Sequence, residues 1–260
     1  MKITIIGCGN MGKGLAQRLS TDQTLYFYDK YFEKAQDLQD QRYGIACQDV
    51  QECLSNSAII ILAVKPQDLA ETAHLIRSIL PQHIIISILA GTPISRIKQY
   101  FPNNQIIRMM PNLAMIYGEG LIGLTTDSPP AKETEELFSE LCKPLGKAYW
   151  IKEKDINAFT SLASSGPAFV LTLIEAMIDA GIGMGFTAGT AQEFVLQMIK
   201  GSLHLLEKSA KHPGELKWQI ASPEGTTIAG LIKLEELGLR GSVIDTFLAA
   251  YKRANELSSE

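Results

Sequence analysis

Residues Lys2-Ile3-Thr4-Ile5-Ile6-Gly7-Cys8-Gly9-Asn10-Met11-Gly12 run from a short apolar stretch straight into G-x-G-x-x-G. That order points to a dinucleotide site. A buried strand has to turn sharply at Gly7, Gly9 has to carry no side chain where a pyrophosphate approaches the backbone, and Gly12 has to admit the following helix closely. Lys13-Gly14-Leu15-Ala16-Gln17-Arg18-Leu19 continues with helical spacing. The free N–H groups at the start of that helix would face the anion.

Working outward, Thr24-Leu25-Tyr26-Phe27-Tyr28 reads as a second strand ending at Asp29, 17 residues after Gly12 and near the usual β-α-β spacing. Further strand-like runs lie at 58–64, 84–88, 105–109, 120–124 and 148–151, with helical patterns between most of them. Continuously apolar strands separated by helices predict a parallel sheet covered on both faces, an α/β doubly wound domain. After about Lys154 no strand pattern recurs and long helices take over. The predicted division is a dinucleotide-binding domain over residues 1–151 and an all-α domain over 152–260, for dimerisation and substrate binding.

Composition narrows the function. A net charge of −4 supplies no basic field for nucleic acid, and unbroken apolar runs such as Ala58 to Val64 are too short to span a bilayer. Strand and glycine turn begin directly after Met1, so no secretory leader is expected and the cytoplasm is the expected location. Cys8, Cys47, Cys53 and Cys142 form no C-x-x-C pair, which suits reduced thiols, with Cys8 a space-filler in the glycine turn. Histidines 74, 83, 204 and 212 are scattered, so no metal site is expected. From Ile156 to Ile199 there is no Lys, Arg or His, and the acids are Glu175, Asp179 and Glu193 alone. Helices apolar almost all round in a 28.5 kDa chain are expected to bury that surface against a second subunit.

Several segments carry candidate chemistry. Ala63-Val64-Lys65-Pro66-Gln67 closes a strand at the carboxyl edge of the sheet, where ligands of such folds collect. Lys65 is within expected reach of a phosphate or ribose, and Pro66 would stiffen the loop. Ser87 to Gly91 ends the next strand in small residues, and Ala90-Gly91 suits the approach of a flat nicotinamide ring. Met110-Pro111-Asn112 ends the one after, with Asn112 either a polar contact at the reacting centre or a turn residue. Asp29 suits a ribose 2′-hydroxyl and repels a 2′-phosphate, while Lys30 beside it would offset that repulsion; the pair leaves NADH and NADPH both open, with the acid tilting the reading towards NADH.

In the second half, Ser164-Ser165-Gly166-Pro167-Ala168 interrupts a helical run, and Ser222-Pro223-Glu224-Gly225-Thr226-Thr227 opens a helix. Ser222 and Thr226 are of N-cap type. The same helix start, with its exposed amides and the hydroxyls of Thr226 and Thr227, would make a carboxylate-binding nest. Oxidation of a hydroxyacid needs a base such as Lys or His, and the apolar helices supply neither. Reduction of a cyclic imine needs orientation and at most a hydroxyl relay.

Gly7-Cys8-Gly9-Asn10-Met11-Gly12, Ala63 to Gln67, Ala90-Gly91, Met110-Pro111-Asn112, Ser165-Gly166-Pro167-Ala168 and the block Ser222 to Glu236 together resemble the pyrroline-5-carboxylate reductase family, in its order and spacing. The resemblance implies reduction of 1-pyrroline-5-carboxylate to L-proline by NADPH or NADH. It also implies an N-terminal Rossmann domain, a helical domain intertwined with a partner's, active sites at the dimer interface, and often a decamer of five dimers. Carried over, Ile6, Gly7, Cys8, Gly9, Asn10 and Met11 would line the pyrophosphate. Ala63, Val64, Lys65, Pro66, Ala90 and Gly91 would hold ribose and nicotinamide. Ser222, Glu224, Gly225, Thr226 and Thr227 would hold the substrate carboxylate, with Thr227 facing the ring nitrogen as proton relay. The chain departs from the family pattern at Leu113-Ala114, usually Thr-Pro, and at Glu224, usually glycine. Glu224 adds a carboxylate beside the nest and predicts a strained residue if φ there is positive. These departures keep two alternatives open, a reductase of another cyclic imine or short keto acid, and a catalytically weak nucleotide-binding paralogue.

Overall fold

In the computed structural model, which describes residues 1–259, the opening apolar run forms β1 (Lys2–Ile6) and the glycine turn leads into α1 (Asn10–Leu19). There follow β2 (Thr24–Tyr28), α2 (Phe32–Asp40), β3 (Ile45–Ala46), α3 (Val50–Asn56), β4 (Ile59–Leu62), α4 (Leu69–Leu75), β5 (Ile84–Ser87), α5 (Ile94–Tyr100) and β6 (Gln105–Met110). Then come β7 (Gly120–Thr125), α6 (Lys132–Cys142) and β8 (Gly146–Trp150). One eight-stranded sheet has the order β3-β2-β1-β4-β5-β6-β7-β8. The chain runs outward from β1 to β3 and returns to β4, so the strand order reverses beside β1, where α/β sheets open a ligand crevice.

Period-two alternation explains the two-sided core. Ile59 and Ile61 join one apolar cluster and Ile60 and Leu62 the other, all essentially without solvent contact. Each such isoleucine contributes roughly 1.5–3 kcal/mol of transfer free energy.

Two features differ from the expected sheet. β7 pairs with β6 antiparallel, while β8 pairs with β7 in parallel. Only the segment 111–119 joins β6 to β7, too short for the helical crossover a parallel neighbour needs, so the chain turns back. β3 was not foreseen, because a two-residue strand leaves no periodicity to read.

The helical part begins with α7 (Ile156–Phe159) and a π-helical turn, Thr160–Ser165, then α8 (Gly166–Gly183), α9 (Ala188–Ser209), α10 (Pro213–Ile220), α11 (Thr226–Glu236) and α12 (Leu239–Ser259). The chain forms two compact units, the first comprising Met1–Ser165 and the residues from Ala250 onward, the second Gly166–Ala249. The first unit thus extends beyond residue 151, where the change of sequence texture falls. The reason is local: Asn112 Nδ2 donates to Ala163 O at 2.9 Å and Ser164 Oγ to Pro111 O at 3.1 Å, tying the π-helical turn to the loop after β6.

The second unit leaves much of its apolar surface uncovered. Leu171 is 63% exposed, Met184 74% and Trp218 71%, while Ala191 and Val195 are among its few buried apolar side chains. The helical run Glu153–Gly183 is long and apolar enough, by length and composition, to cross a membrane.

Candidate active site

The glycine turn has a separate reason at each position. Gly7 has φ +101°, and a Cβ there would stand 2.6 Å from Ala63 O. At Gly12 a Cβ would stand 2.0 Å from Gly7 O, so the helix start and the turn exclude any side chain between them. At Gly9 a Cβ would meet nothing within 4 Å, which leaves the space over the backbone open. Gly9 also serves as the N-cap of α1, with no side-chain cap and no acidic residue in the first turn. Uncapped amides at that end, among them those of Asn10 and Met11, are donors with which an anion can pair.

Asp29 anchors this turn. Its Oδ2 accepts from Cys8 N–H at 2.8 Å and its Oδ1 from Tyr31 N–H at 3.0 Å. Both carboxylate oxygens of the expected ribose acid are therefore engaged by backbone, and the Cys8 amide points to Asp29. Burial, reinforced by the Asp29 charge, pushes the Cys8 thiol up to about 12, so it stays protonated and unreactive.

A cleft of about 560 Å³ opens at the strand-order reversal. It brings together Ile6, Gly7, Gly9, Asp29, Lys30, Ala63, Val64 and Lys65 among the expected residues. Its remaining lining includes Tyr31, Lys34, Gln67, Asp68, Glu71 and His74. Except for Gln67, which closes the segment from Ala63, those were missed by sequence reasoning: α4 supplies part of this wall, and an ordinary amphipathic helix carries no motif for it. Lys30 Nζ pairs with Asp68 Oδ1 at 3.3 Å, and that hydrogen-bonded partner holds its ammonium above the usual lysine range. Lys34 Nζ stands 4.7 Å from the centre of the Tyr31 ring. Lys65 is exposed at the cleft, and Pro66 opens the short 3-10 turn behind it. The cleft thus has one end fit for pyrophosphate and another carrying an aromatic ring between cations, fit for a nucleoside.

Ala90, Gly91 and Asn112 lie outside this cleft. Asn112 is buried, and both ends of its amide are engaged: Nδ2 donates to Ala163 O, and Oδ1 accepts from Leu121 N–H at 3.2 Å. Of the two roles open to Asn112, the structural one is what these hydrogen bonds describe. Beyond β5, Ile94 N–H donates to Glu153 Oε1 at 2.7 Å, and the same oxygen accepts from Arg108 Nη1 at 3.3 Å.

The segment Ser222 to Thr227 stands within the second unit. Gly225 N–H donates to Ser222 O at 3.2 Å, closing a turn with Pro223 second and Glu224 third. Glu224 has φ +60°, the left-handed conformation that glycine takes without strain in such turns. The helix cap differs from the expected one: Gly225 is the N-cap of α11, with no side-chain cap and no acidic residue in the first turn. Thr226 and Thr227 are the first two helical residues, so their hydroxyls stand beside amides that no side chain caps. These uncapped amides and the two alcohol groups are donors with which an anion can pair.

Comparison with known proteins resolves the family. A family model described as pyrroline-5-carboxylate reductase dimerisation matches residues 153–257, and one described as NADP oxidoreductase coenzyme F420-dependent matches residues 2–91. A pyrroline-5-carboxylate reductase of Aquifex aeolicus is 33% identical over 261 residues, covering 99% of this chain and 97% of that protein. The chain belongs to the pyrroline-5-carboxylate reductase family. Among solved structures, the Plasmodium falciparum reductase with NADP bound superposes with a TM-score of 0.91 at 27% identity, covering 99% of this chain and 98% of that one. The Streptococcus pyogenes enzyme gives 0.90 at 29% identity, covering 98% of each. This reductase family member is an oxidoreductase with a Rossmann-type N-terminal unit and a helical C-terminal dimerisation segment. The match over 153–257 includes the apolar helices of the second unit and so gives their uncovered surface a protein partner.

Proposed function

We propose that this chain reduces 1-pyrroline-5-carboxylate to L-proline, passing a hydride from NADPH or NADH to the imine carbon. The observation that carries the reading is the uncapped start of α11, an anion site rimmed by Thr226 and Thr227 in the segment that most closely resembles the family. The substrate carboxylate is held by the amides and hydroxyls of Ser222 to Thr227, and Thr227 relays a proton to the ring nitrogen. Gly7 to Met11 take the pyrophosphate, Ala63 to Pro66 the ribose, and Ala90-Gly91 border the nicotinamide. The cofactor supplies the hydride; the chain orients the ring, holds the carboxylate and excludes competing geometries. No acid–base lysine or histidine is required, because the imine is protonated readily near neutral pH.

NADPH is accepted despite Asp29. That carboxylate is engaged by Cys8 and Tyr31, whereas Lys30 and Lys34 supply positive charge at the nucleoside end. The enzyme is cytoplasmic and works as a dimer, with the decamer of five dimers as its larger assembly. It acts on neither nucleic acid nor membrane.

The test is steady-state oxidation of NADPH and of NADH by the purified protein with 1-pyrroline-5-carboxylate, identifying the product as proline. Turnover of about 1 per second or faster is the expected result. Normal cofactor binding without turnover rejects the activity and favours the nucleotide-binding paralogue, to which the strained Glu224 in the substrate loop then points. A panel of other cyclic imines separates a change of substrate from a loss of chemistry.

A further inference from the structure

The loop between β5 and α5, assigned above to the nicotinamide, is gripped from outside by distant parts of the same unit. At one end, Ile94 N–H is bonded to Glu153 Oε1, and Glu153 is held by Arg108, itself 2% exposed. At the other end, Gly91 sits at φ +64°, and a Cβ there would stand 3.0 Å from both Cβ and the carbonyl oxygen of Leu257. The last turn of α12 therefore packs directly on Gly91. That turn is fastened in its place. Asn157 Nδ2 donates to Asn255 Oδ1 and to Ser258 Oγ, each at 3.0 Å, while Ser258 Oγ lies 3.2 Å from Asn157 Oδ1. Three polar side chains, Asn157 and Ser258 partly buried and Asn255 exposed, thus close a clasp between α7 and the last turn of α12.

We infer that the C-terminal turn of α12, clasped by Asn157, is a positioning element for hydride transfer, setting Gly91 and hence the loop that borders the nicotinamide. The physical case is that the loop's far end is fixed by a partly buried ion pair, the buried Arg108 with the partly exposed Glu153, whereas its Gly91 end is backed by the C-terminal turn. Release of that turn lets the Gly91 end move. Hydride transfer depends steeply on donor–acceptor distance, and small misplacements lower the rate without abolishing binding. Cofactor affinity resides mainly in the pyrophosphate and nucleoside contacts of the separate cleft, which the clasp does not touch.

This inference rests on the assignment of Ala90-Gly91 to the nicotinamide. Its test uses the assembled enzyme in three forms: a chain ending at Ala254, Asn157→Ala, and Gly91→Ala. Cofactor Kd comes from NADPH fluorescence, kcat and KM from steady state, and the primary isotope effect from cofactor deuterated at the transferred hydrogen. The truncated chain and Asn157→Ala are expected to lose about 10-fold in kcat with a larger isotope effect. Cofactor Kd and substrate KM are expected to hold within about twofold. Unchanged kcat in both forms overturns the inference. A fall in kcat that comes only with weaker cofactor binding or a changed oligomer also overturns it, since the segment is then merely structural. Gly91→Ala separates the two readings: if it leaves both turnover and cofactor KM intact, the nicotinamide assignment itself fails. If it lowers turnover while the clasp variants do not, the assignment survives and the positioning role fails.

Discussion

The two units of this chain solve the burial problem differently. In the first, Ile3, Ile5, Ile59 to Leu62 and Phe138 are sealed inside between sheet and helices. In the second, Leu171, Phe194, Leu203 and Trp218 are more than half exposed, although its helices are more apolar than those around the sheet. A sheet with helices on both faces encloses its own core, whereas a handful of helices apolar all round cannot cover each other. The lesson is that stability of the first unit is internal, and that of the second comes from association, in agreement with the dimerisation match over 153–257.

The sharpest way to break that contrast is a charge on the exposed apolar surface. Leu171→Glu is expected to weaken self-association by about 100-fold or more and to remove activity with it, while leaving the sheet unit folded. Sedimentation velocity across protein concentration checks this, and an unchanged oligomer sinks it. The counterpart is Ile61→Ala, expected to cost the sheet unit about 3 kcal/mol, as a drop in denaturation midpoint that does not depend on protein concentration. A concentration-dependent loss would mean the first unit also leans on association.

Within the sites, Thr227→Val is expected to lower kcat by roughly 100-fold with the cofactor Kd unchanged, and Thr227→Ser to recover most of it. Equal activity of Thr227→Val would confine that residue to orientation or to no role. A smaller effect is expected at Glu224. With φ +60°, Glu224→Gly should stabilise the protein by about 1 kcal/mol and lower substrate KM by relieving repulsion of the carboxylate. A thermal melt and a substrate titration read both. The smallest effect is at the nucleoside end: Lys34→Met should reduce kcat/KM for NADPH severalfold and leave NADH nearly unchanged, since Lys34 lines the cleft over the Tyr31 ring. A parallel loss with both cofactors would assign Lys34 to packing.

How much was legible follows the range of each constraint. The glycine turn could be read because its demands are local: a turn, an open backbone and a close helix start within six residues. The opening of α11 was legible as a helix start for the same reason, although its cap proved to be Gly225 rather than Ser222 or Thr226. Asp29 was read as a ribose contact at the end of the second strand, whereas its hydrogen bonds to Cys8 and Tyr31 needed the fold. Asn112 could be a turn residue or a contact on sequence alone, and only its bonds to Ala163 and Leu121 describe a joint. The cleft wall from α4 was invisible, because residues at helical spacing look alike whether they face a ligand or water.

The sequence by itself determined the alternation of apolar strands and helices, the glycine turn, the uncovered apolar helices and the family to which these belong, since each is written in short-range pattern. Tertiary structure alone decided that β7 turns back against β6, that Asp29 holds the turn, and that Leu257 backs Gly91. Those outcomes depend on residues far apart in the chain meeting in space, and periodicity or a local motif carries no record of such meetings.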